Sequence, residues 1–553
     1  MNEASGRGKS MKQRAAGKAN KAAMQPAPEQ GFDEQTYLRL NPDVLMAVAE
    51  GKFQSGREHY EHYGRAEGRL ATTPGGLPRD RIIITARPGQ TQEVPRAPHA
   101  AVDYVYLSSA GGLYVSGWVD DSLDRLETVE LYVAGWSVAF SAAGLVRVMR
   151  PDADEVAKLR GTHATGFWGF IYAAQRLPLG KCNAVLRLKS GVELAFIATI
   201  APMDDMALRD LMLKGITTAP YLGPRYFAAS AALGEMIGEQ LADFNRMLTR
   251  RAVSAPYVER FHQPGRTPKA SIIVCLYGKP DYLPLQIALF ARQAGMEAYE
   301  FIYVSNSPEM AEAMQRCARI AHLTYGLDIT LILLSTNAGF AAANNLAATH
   351  ARTGRLLFVN PDVFPKEEEF ARRHLALLQD WPTVRTDLFG AALYYDDGTL
   401  MHGGMYLEAD TLPGFALGRK QDSTILRVEH YGKGAPGEEP DLLRCRPVPA
   451  VTGAFISTER GWFETLDGFS EDYIFGHYED ADLCLRALEA GRPAWMTDLR
   501  LYHLEGKGGV HLALHEGAAT VNRVLFTNSW LELAEGGLLG VAPEHPALRE
   551  TAS

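Results

Sequence analysis

The stretch Ala270-Ser271-Ile272-Ile273-Val274-Cys275-Leu276-Tyr277 is typical of a buried strand, and it ends at the turn residues 278–281. A helical segment follows, and three further apolar strands then end at the polar loops 305–308, 336–339 and 360–362. Strands that alternate with helices predict a parallel sheet covered on both faces. Because ligands of such sheets bind beyond the carboxyl ends of the strands, we expect this α/β half to hold a nucleotide there.

A second informative stretch runs from Thr452 to His503, and three carboxylates lie at its centre. An apolar helical face is indicated by residues recurring at i, i+3, i+4 and i+7: Ala481, Cys484, Leu485 and Leu488. Glu479 and Asp480 therefore lie at a helix N-terminus, where free N–H groups and the helix dipole favour ionised carboxylates. This position fits either a simple helix cap or a group that accepts a proton.

Length, composition and charge exclude several classes of protein. The 553 residues are too many for one core, so two to four domains are expected. A net charge of −9 argues against a general nucleic-acid binder. Five scattered cysteines without a CxxC pair favour a reducing compartment and give no zinc site. Without a membrane span or secretory signal in the sequence, we predict a cytoplasmic protein, with peripheral contact at the inner membrane face as an alternative.

The composition changes several times along the chain and indicates accessory modules before the α/β domain. Basic and small residues at the start predict a disordered tail, and the prolines that follow the first helical segment predict a linker. Short runs of alternating apolar residues then predict a β-sandwich. The predicted organisation is a tail (1–30), a small helical module (31–70), a linker (71–102), a β-sandwich domain (103–201), a helical connector (202–265) and the α/β domain (266–553).

The order of the motifs from residue 267 to 530 resembles that of family 2 glycosyltransferases with the GT-A fold, in the branch that includes bacterial rhamnosyltransferases. The motifs that carry the resemblance are 271–277, 337–344, 358–362, 452–455, 468–471, 479–483 and His503. Each motif is weak alone, but their order and spacing across about half the chain are specific. The resemblance implies a Rossmann-like sheet and inverting transfer of a sugar from a nucleotide sugar to an acceptor hydroxyl.

The resemblance also assigns chemistry to individual residues. An anionic diphosphate leaving group requires a divalent cation, and oxygen ligands suit Mg²⁺ or Mn²⁺. Asp362 resembles the last carboxylate of the family's DxD motif, whose first position here is Asn360, so metal binding rests on Asp362 and His503. By resemblance, Asp480 is the base that takes the hydroxyl proton, and Glu479 shapes the acceptor site. One base suffices for a single inverting displacement.

The donor and acceptor sites are less fully specified. The predicted donor site comprises Tyr277, Ser305, Asn306, Asn337, Gly339, Asn344 and Asn360. Ser305 stands where the family often has an aspartate that contacts the base, so UDP and dTDP both remain open. Asn337 could equally cap the following helix. His402 and Gly453 are assigned to the sugar or acceptor, with a buried structural histidine as the alternative for His402. Residues 410–440 are expected to form a flexible loop over the site.

The sequence is compatible with three functions. The first is a transferase that acts on the acceptor of a polysaccharide or glycolipid. The second is a catalytically inactive carbohydrate-binding protein, which the departures at Asn360 and Ser305 motivate. The third is a sugar nucleotidyltransferase, but the loop after the first strand, 276–280, is too short and too poor in glycine for a triphosphate. The retention of Asp362, Asp480 and His503 together favours the transferase.

Overall fold

The computed structural model describes residues 52–64, 99–157, 164–173, 177–217, 226–379, 387–412, 422–504 and 513–541, with scattered positions from Gln25 to Val48. The chain divides into two compact units, Met1–Phe244 and Asn245–Ser553, and each is described by itself. The predicted tail and linker lie almost entirely outside the described residues. The domain boundaries drawn from the sequence stay predictions.

The first unit contains one β-sheet among its described residues. Its strands are β1 (Gln25–Pro26), β2 (Ala100–Ser108), β3 (Gly112–Val119), β4 (Leu126–Val133), β5 (Trp136–Ser141), β6 (Leu145–Val148), β7 (Gly166–Tyr172), β8 (Gly180–Leu188) and β9 (Glu193–Met203), in the order β1-β5-β4-β8-β9-β2-β3-β7-β6. Buried residues such as Val115, Phe140 and Leu186 form its core. The parallel pairing of β2 with β9 joins two antiparallel groups into one continuous path, so the predicted two-layer sandwich stays a prediction.

Four α-helices precede, interrupt or follow the strands of this sheet in the described sequence, and the last of them continues past Phe244 into the second unit. They are α1 (Gly56–His59), α2 (Pro151–Ala157), α3 (Asp205–Thr217) and α4 (Tyr226–Val253). The last two lie in the predicted helical connector, but the end of that connector is β10 (Tyr257–Phe261), an edge strand of the second unit. The expectation of helix is wrong there, because this strand is short and partly exposed and lacks the apolar run that marks the buried strands.

The second unit is built on a mixed sheet. Its strands after β10 are β11 (Ala270–Leu276), β12 (Tyr299–Ser305), β13 (Asp328–Leu333), β14 (Arg355–Val359), β15 (Val363–Pro365), β16 (Leu388–Tyr394), β17 (Leu400–His402), β18 (Met405–Leu412), β19 (Ser423–His430), β20 (Arg446–Val448), β21 (Phe455–Glu459) and β22 (Ala494–His503). The main path is β10-β13-β12-β11-β14-β21-β16-β22-β15. Strands β11 to β14 are mutually parallel, as the sequence predicts.

Helices pack on both faces of this sheet. They are α5 (Tyr282–Ala291), α6 (Ala311–Tyr325), α7 (Gly339–His350), α8 (Phe370–Leu377), α9 (Pro440–Leu443), α10 (Arg460–Thr465), α11 (Glu479–Glu489) and α12 (Ala513–Leu533). Successive residues of β11 enter different cores, since Ile273 belongs to one apolar cluster and Ile272 to another. Burial on both faces is what a parallel sheet requires.

The region 410–440 is more regular than the predicted flexible loop. Its described residues belong largely to an antiparallel ribbon, in which β18 pairs with β19 from Met405↔His430 to Leu412↔Ser423. The ribbon carries charged neighbours such as Arg427, which contacts Glu408 and Glu429. These exposed charges obscure the alternation of apolar residues that would have indicated strands. The loop prediction is therefore wrong for residues 410–412 and 423–430, whereas residues 431–439 form turns without strand or helix.

A buried ion cluster holds the amino-terminal ends of the parallel strands together. Glu300 and Asp328 are 1% and 0% exposed, and both bind the guanidinium of Arg352. The hydroxyl of Ser271 on β11 donates to Glu300 Oε1 over 2.6 Å. Three neighbouring strands are thus tied to one arginine, at the edge opposite to the polar loops.

We expect Arg352→Met to lower the free energy of unfolding by about 3 kcal/mol, because it leaves two buried carboxylates without their cation. This is the lower end of the range for buried pairs, since the Arg352 side chain is itself 32% exposed. Urea unfolding measures the effect. Arg316→Met, which removes the exposed pair with Glu312, is the matched control and should change stability by less than about 1 kcal/mol. Equal effects of the two substitutions would contradict the prediction.

Candidate functional site

A strained loop leads into α11 and presents the acidic pair. Phe475, His477 and Tyr478 have φ values of 62°, 78° and 78°, in the left-handed region that side chains other than glycine rarely adopt. Such conformations cost about 1–3 kcal/mol each and persist where the surroundings hold them. One support is the N–H of Phe340, which donates to the Phe475 carbonyl over 2.6 Å. The helix then begins at Glu479.

Two backbone N–H groups fix the carboxylate of Asp480. Its Oδ2 accepts from the Gly453 N–H over 2.7 Å, and its Oδ1 accepts from the Ala481 N–H over 2.8 Å. Burial raises the pKa of Asp480, while these two hydrogen bonds act to lower it. The carboxylate is therefore oriented, ionisable and more basic than an ordinary aspartate.

Glu479 and Asp482 have different surroundings in the same helical turn. Glu479 is 6% exposed, and its Oε2 has no hydrogen-bond partner among the described residues. Burial and the neighbouring charge of Asp480 raise the pKa of Glu479 well above its ordinary value. Asp482 instead accepts from Arg486 Nε over 2.8 Å and from Trp530 Nε1 over 2.9 Å. Asp482 thus anchors the helix, and the catalytic roles of Glu479 and Asp480 stay predictions.

Asp362 and His503 lie together on neighbouring segments. Strand β15 pairs with β22 in the register Val363↔His503, and His503 Nε2 lies 3.4 Å from Asp362 Oδ1. Both residues are buried, and His503 Nδ1 has no partner among the described residues. The buried amide of Gln286 holds the turn before β15, because its Nε2 donates to the carbonyls of Asn360 (2.7 Å) and Val363 (3.1 Å).

One turn connects the two acidic sites. The N–H of Asn360 donates to the carbonyl of Ala454 over 2.9 Å, and the adjacent N–H of Gly453 binds Asp480. A side chain at Gly453 would meet Asp480 Cβ and Phe340 Cζ, each at 3.4 Å. The segment that carries Asp362 and the carboxylate of Asp480 are therefore joined at the same end of the sheet, where β14 finishes and β21 begins.

The side chains around Asp362 could supply only some of the ligands of a divalent cation, so substrate phosphates and water would have to supply the others. Within the described part of the chain, no group of three or more His, Cys, Asp or Glu side chains could hold a metal ion. Asp362 supplies a carboxylate, His503 an imidazole, and the half-buried Asn360 is close in sequence. Mg²⁺ is commonly bound by one or two carboxylates together with substrate phosphates and water. The donor set is compatible with Mg²⁺ or Mn²⁺ on a diphosphate.

Ser305 and Asn306 brace the loops beneath the expected nucleotide position. Ser305 Oγ donates to the Ser307 carbonyl over 2.9 Å. Asn306 Nδ2 donates to the Gly339 carbonyl over 2.9 Å, and Asn306 Oδ1 accepts from the Ala338 N–H over 3.1 Å. Both side chains are nearly inaccessible to solvent. Their contact with a nucleotide base stays a prediction, while their observed contacts join the loops after β12 and β13.

The loop before α7 also has structural contacts. Asn337 Oδ1 accepts from the Gly339 N–H over 2.8 Å, but the N-cap of α7 is Ala338 and no side chain caps this helix, so the contact closes the turn that precedes it. Gly339 has a φ of 78°, and a Cβ there would lie 3.1 Å from Phe475 Cα, so this close approach requires glycine. Asn344 donates to the Phe340 carbonyl over 2.9 Å and is 1% exposed. Donor contacts by these three residues stay predictions.

His515 is a residue at the site that the sequence analysis missed. Its ring lies edge-on to Tyr277, at the end of β11, with centroids 5.9 Å apart. The same ring is edge-on to Phe475 in the strained loop, at 5.4 Å. His515 thus connects the expected donor side to the loop before Asp480. No motif surrounds it, and only its position in the first turn of a partly apolar helix could have drawn attention to it.

His402 is placed inside the protein. It is 0% exposed, and its Nδ1 lies 3.0 Å from His430 Nδ1. Burial and the neighbouring His430 hold the pKa of His402 well below its ordinary value. Its Nε2 has no partner among the described residues. These contacts fit the structural alternative weighed for this histidine, and a role with the sugar stays a prediction.

A comparison with known families matches part of the second unit. Residues 271–391 match the model described as Glycosyl transferase family 2. This range supports a glycosyltransferase domain of that family, and it includes Asp362 but ends before Asp480 and His503. Together with the mixed sheet, the match confirms the predicted α/β fold of GT-A type. The rhamnosyltransferase branch stays a prediction.

Curated relatives share less than half of this chain. The chain is 28% identical to the O-antigen biosynthesis protein RfbC of Myxococcus xanthus over 256 residues, which is 45% of this chain and 18% of that protein. It is 26% identical over 261 residues to the uncharacterized protein y4gI of Sinorhizobium fredii, covering 46% of this chain and 27% of the relative. The match thus spans about a quarter or less of each relative.

Solved structures overlap at lower similarity. The mannosyltransferase PcManGT from Pyrobaculum calidifontis, in complex with GDP-Man and Mn²⁺, is 16% identical, with a TM-score of 0.30 and coverage of 59% of this chain and 90% of that one. GalNAc-T7 with UDP, GalNAc and Mn²⁺ is 13% identical, with a TM-score of 0.35 and coverage of 58% and 60%. In the described part of the chain, no helix is long and apolar enough to cross a membrane.

Proposed function

We propose that this protein is an inverting glycosyltransferase that moves a sugar from a UDP- or dTDP-sugar to an acceptor hydroxyl. The observation that carries the proposal is the connection through Gly453 and Ala454, which links Asp480 to the segment of Asn360 and Asp362. An inverting displacement needs a base on one side of the reacting carbon and a stabilised leaving group on the other. This pair of linked acidic positions supplies both functions.

In this proposal Asp480 accepts the proton of the attacking hydroxyl. Its two backbone hydrogen bonds orient the carboxylate, and its raised pKa makes it a better base near neutral pH. Glu479 lies beside it, and its buried Oε2 has no hydrogen-bond partner among the described residues, so we assign it a hydroxyl of the bound acceptor as its partner. Because two adjacent carboxylates resist simultaneous ionisation, the raised pKa of Glu479 also lets it act as a hydrogen-bond donor.

Asp362 and His503 hold the leaving-group side of the site. A divalent cation bound there would neutralise the charge that develops on the diphosphate. Asp362 is kept in place by the Gln286 clamp on its turn and by the pairing of β15 with β22. The donor residues predicted from the sequence surround the same end of the sheet, with Tyr277 at the end of β11.

The acceptor is proposed to be a growing glycan or a glycolipid. The relative RfbC is described as an O-antigen biosynthesis protein, which supports polysaccharide synthesis as the process. We place the proposed reaction in the cytoplasm, with contact at the inner membrane face where a lipid-linked acceptor is used. The inactive carbohydrate-binding protein is the second candidate, because Ser305 and Asn306 are occupied by protein contacts.

A donor panel tests the proposal. The full chain is incubated with UDP- and dTDP-sugars, Mn²⁺ and a mixture of oligosaccharide acceptors, and release of nucleoside diphosphate by transfer of the sugar to these acceptors or to water is measured with and without a metal chelator. We expect release from at least one donor, and we expect chelation to abolish it. Sugar binding without turnover would instead favour the inactive binding protein. Formation of pyrophosphate from a nucleoside triphosphate and a sugar phosphate would identify a nucleotidyltransferase.

A further inference from the structure

One face of α12 supports the segment that carries the acidic pair. Residues at i, i+4 and i+8 of this helix, namely Asn522, Phe526 and Trp530, contact three successive parts of that segment. Asn522 binds the backbone of the strained loop, Phe526 packs on the Tyr478 ring with centroids 5.0 Å apart, and Trp530 donates to Asp482. One side of α12 is thus in contact with both the strained loop and the first turn of α11.

The side-chain amide of Asn522 is fully engaged with the loop. Its Oδ1 accepts from the Ile474 N–H over 2.8 Å, and its Nδ2 donates to the carbonyls of Ile474 (3.0 Å) and Gly476 (2.6 Å). Asn522 is 0% exposed, so water cannot replace it at these groups. Only a planar group with one acceptor and two donor hydrogens can satisfy all of these backbone atoms.

The loop needs this support because its conformation is unfavourable by itself. Three of the four residues from Phe475 to Tyr478 are in the left-handed region without being glycine. Strain of this kind relaxes unless the surroundings oppose it. A relaxed loop would move the first turn of α11, and with it the carboxylate that Gly453 and Ala481 now orient.

We propose that Asn522 is a positioning residue for the base, and that it acts by holding the strained loop so that Asp480 keeps its orientation. This inference rests on the proposed function. It assigns the C-terminal helix a part in catalysis although Asn522 itself contacts neither Asp480 nor Glu479 among the contacts of the described residues. The effect passes through the backbone of residues 474–478.

The test compares Asn522→Leu with Asn528→Leu, the same change on the exposed face of the same helix. We expect Asn522→Leu to lower kcat about 100-fold, the loss typical of a reacting group displaced by about 1 Å, with little change in the donor KM. In this variant, kcat should begin to fall at a higher pH as the solution is made more acidic. The reason is that weaker hydrogen bonds from the N–H groups to Asp480 raise the pKa of the base. Asn528→Leu should leave kcat, KM and the pH profile as in the wild type.

Gln286→Leu is a second comparison, because Gln286 is an equally buried amide that clamps the Asp362 turn. Gln286→Leu should raise the Mn²⁺ concentration needed for half-maximal rate and leave unchanged the acid limb, which is the pH range in which kcat falls as the pH drops. Asn522→Leu should shift the acid limb and leave the half-maximal Mn²⁺ concentration unchanged. If Asn522→Leu fails to fold, the same pH dependence of kcat is measured for Asn522→Ser, which keeps one hydroxyl donor, and this variant then tests the inference. A folded variant with wild-type kcat and an unshifted acid limb overturns the inference. A wild-type chain without turnover overturns the proposed function instead.

Discussion

Asp480→Asn is expected to lower kcat about 100- to 10,000-fold, the range that general-base catalysis contributes, while donor binding stays near wild type. The amide is nearly isosteric with the carboxylate, but its single oxygen can accept from only one of the Gly453 and Ala481 N–H groups, so one of these two hydrogen bonds is lost as well. What is lost is the ability to take a proton. Release of nucleoside diphosphate at saturating donor and acceptor measures the effect.

The pH dependence gives an independent check on the base. Burial raises the pKa of Asp480, and only the ionised form can accept a proton. The wild-type kcat should therefore fall as the pH drops through a value above that of an ordinary aspartate. Asp480→Asn should remove this acid limb. The matched control is Glu489→Gln, at the exposed end of the same helix, and it should keep both kcat and the limb. An unchanged kcat in Asp480→Asn would exclude it as the base.

Asp362→Ala is expected to reduce metal-dependent turnover about 1,000-fold, which corresponds to about 4 kcal/mol of lost leaving-group stabilisation. The substitution removes the buried carboxylate that faces His503 Nε2 at 3.4 Å. Added Mn²⁺ should restore little of the rate, because the remaining imidazole and amide give no negative charge to the site. Rates over a range of Mn²⁺ concentrations measure both the maximal rate and the half-saturating concentration.

Asp498→Ala is the matched control for this substitution, because Asp498 lies on the same strand as His503 but is exposed and pairs with Arg373. Its loss should affect stability slightly and metal dependence not at all. Circular dichroism and thermal unfolding verify that Asp362→Ala is folded. If Asp362→Ala keeps the metal response of the wild type, the cation is held elsewhere and the proposed site is wrong.

Much of the second unit could be predicted from the sequence, because its strands are long, apolar and separated by polar loops. The strand starting at Ala270 and the helix starting at Glu479 both lie where local patterns indicate them. The resemblance to a family assigns both Asp362 and His503 to metal binding, but it does not predict the contact between them. This contact follows physically from the antiparallel register of β15 and β22, which neither segment encodes alone.

The remaining features depend on contacts between distant segments. Asn522 and Gln286 look like ordinary helical residues in the sequence, and only the tertiary structure shows that each clamps a loop. The left-handed conformations of Phe475 and Tyr478 contradict local preference and exist because packing imposes them. Similarly, the sequence around His402 does not distinguish a buried structural histidine from one that contacts a sugar. The structure favours the structural role, because His402 is buried beside His430.

The pairing of β15 with β22 has a consequence for biosynthesis of the protein. Asp362 occupies its position partly because Val363 and the residues after it are paired with the strand that ends at His503. A nascent chain that has not yet emerged beyond that strand lacks both the imidazole and the backbone partner that fixes the carboxylate. Premature termination before Ala494 would therefore yield a product that lacks both His503 and the strand that pairs with β15, and under the proposed function this product would not bind a metal-bound donor.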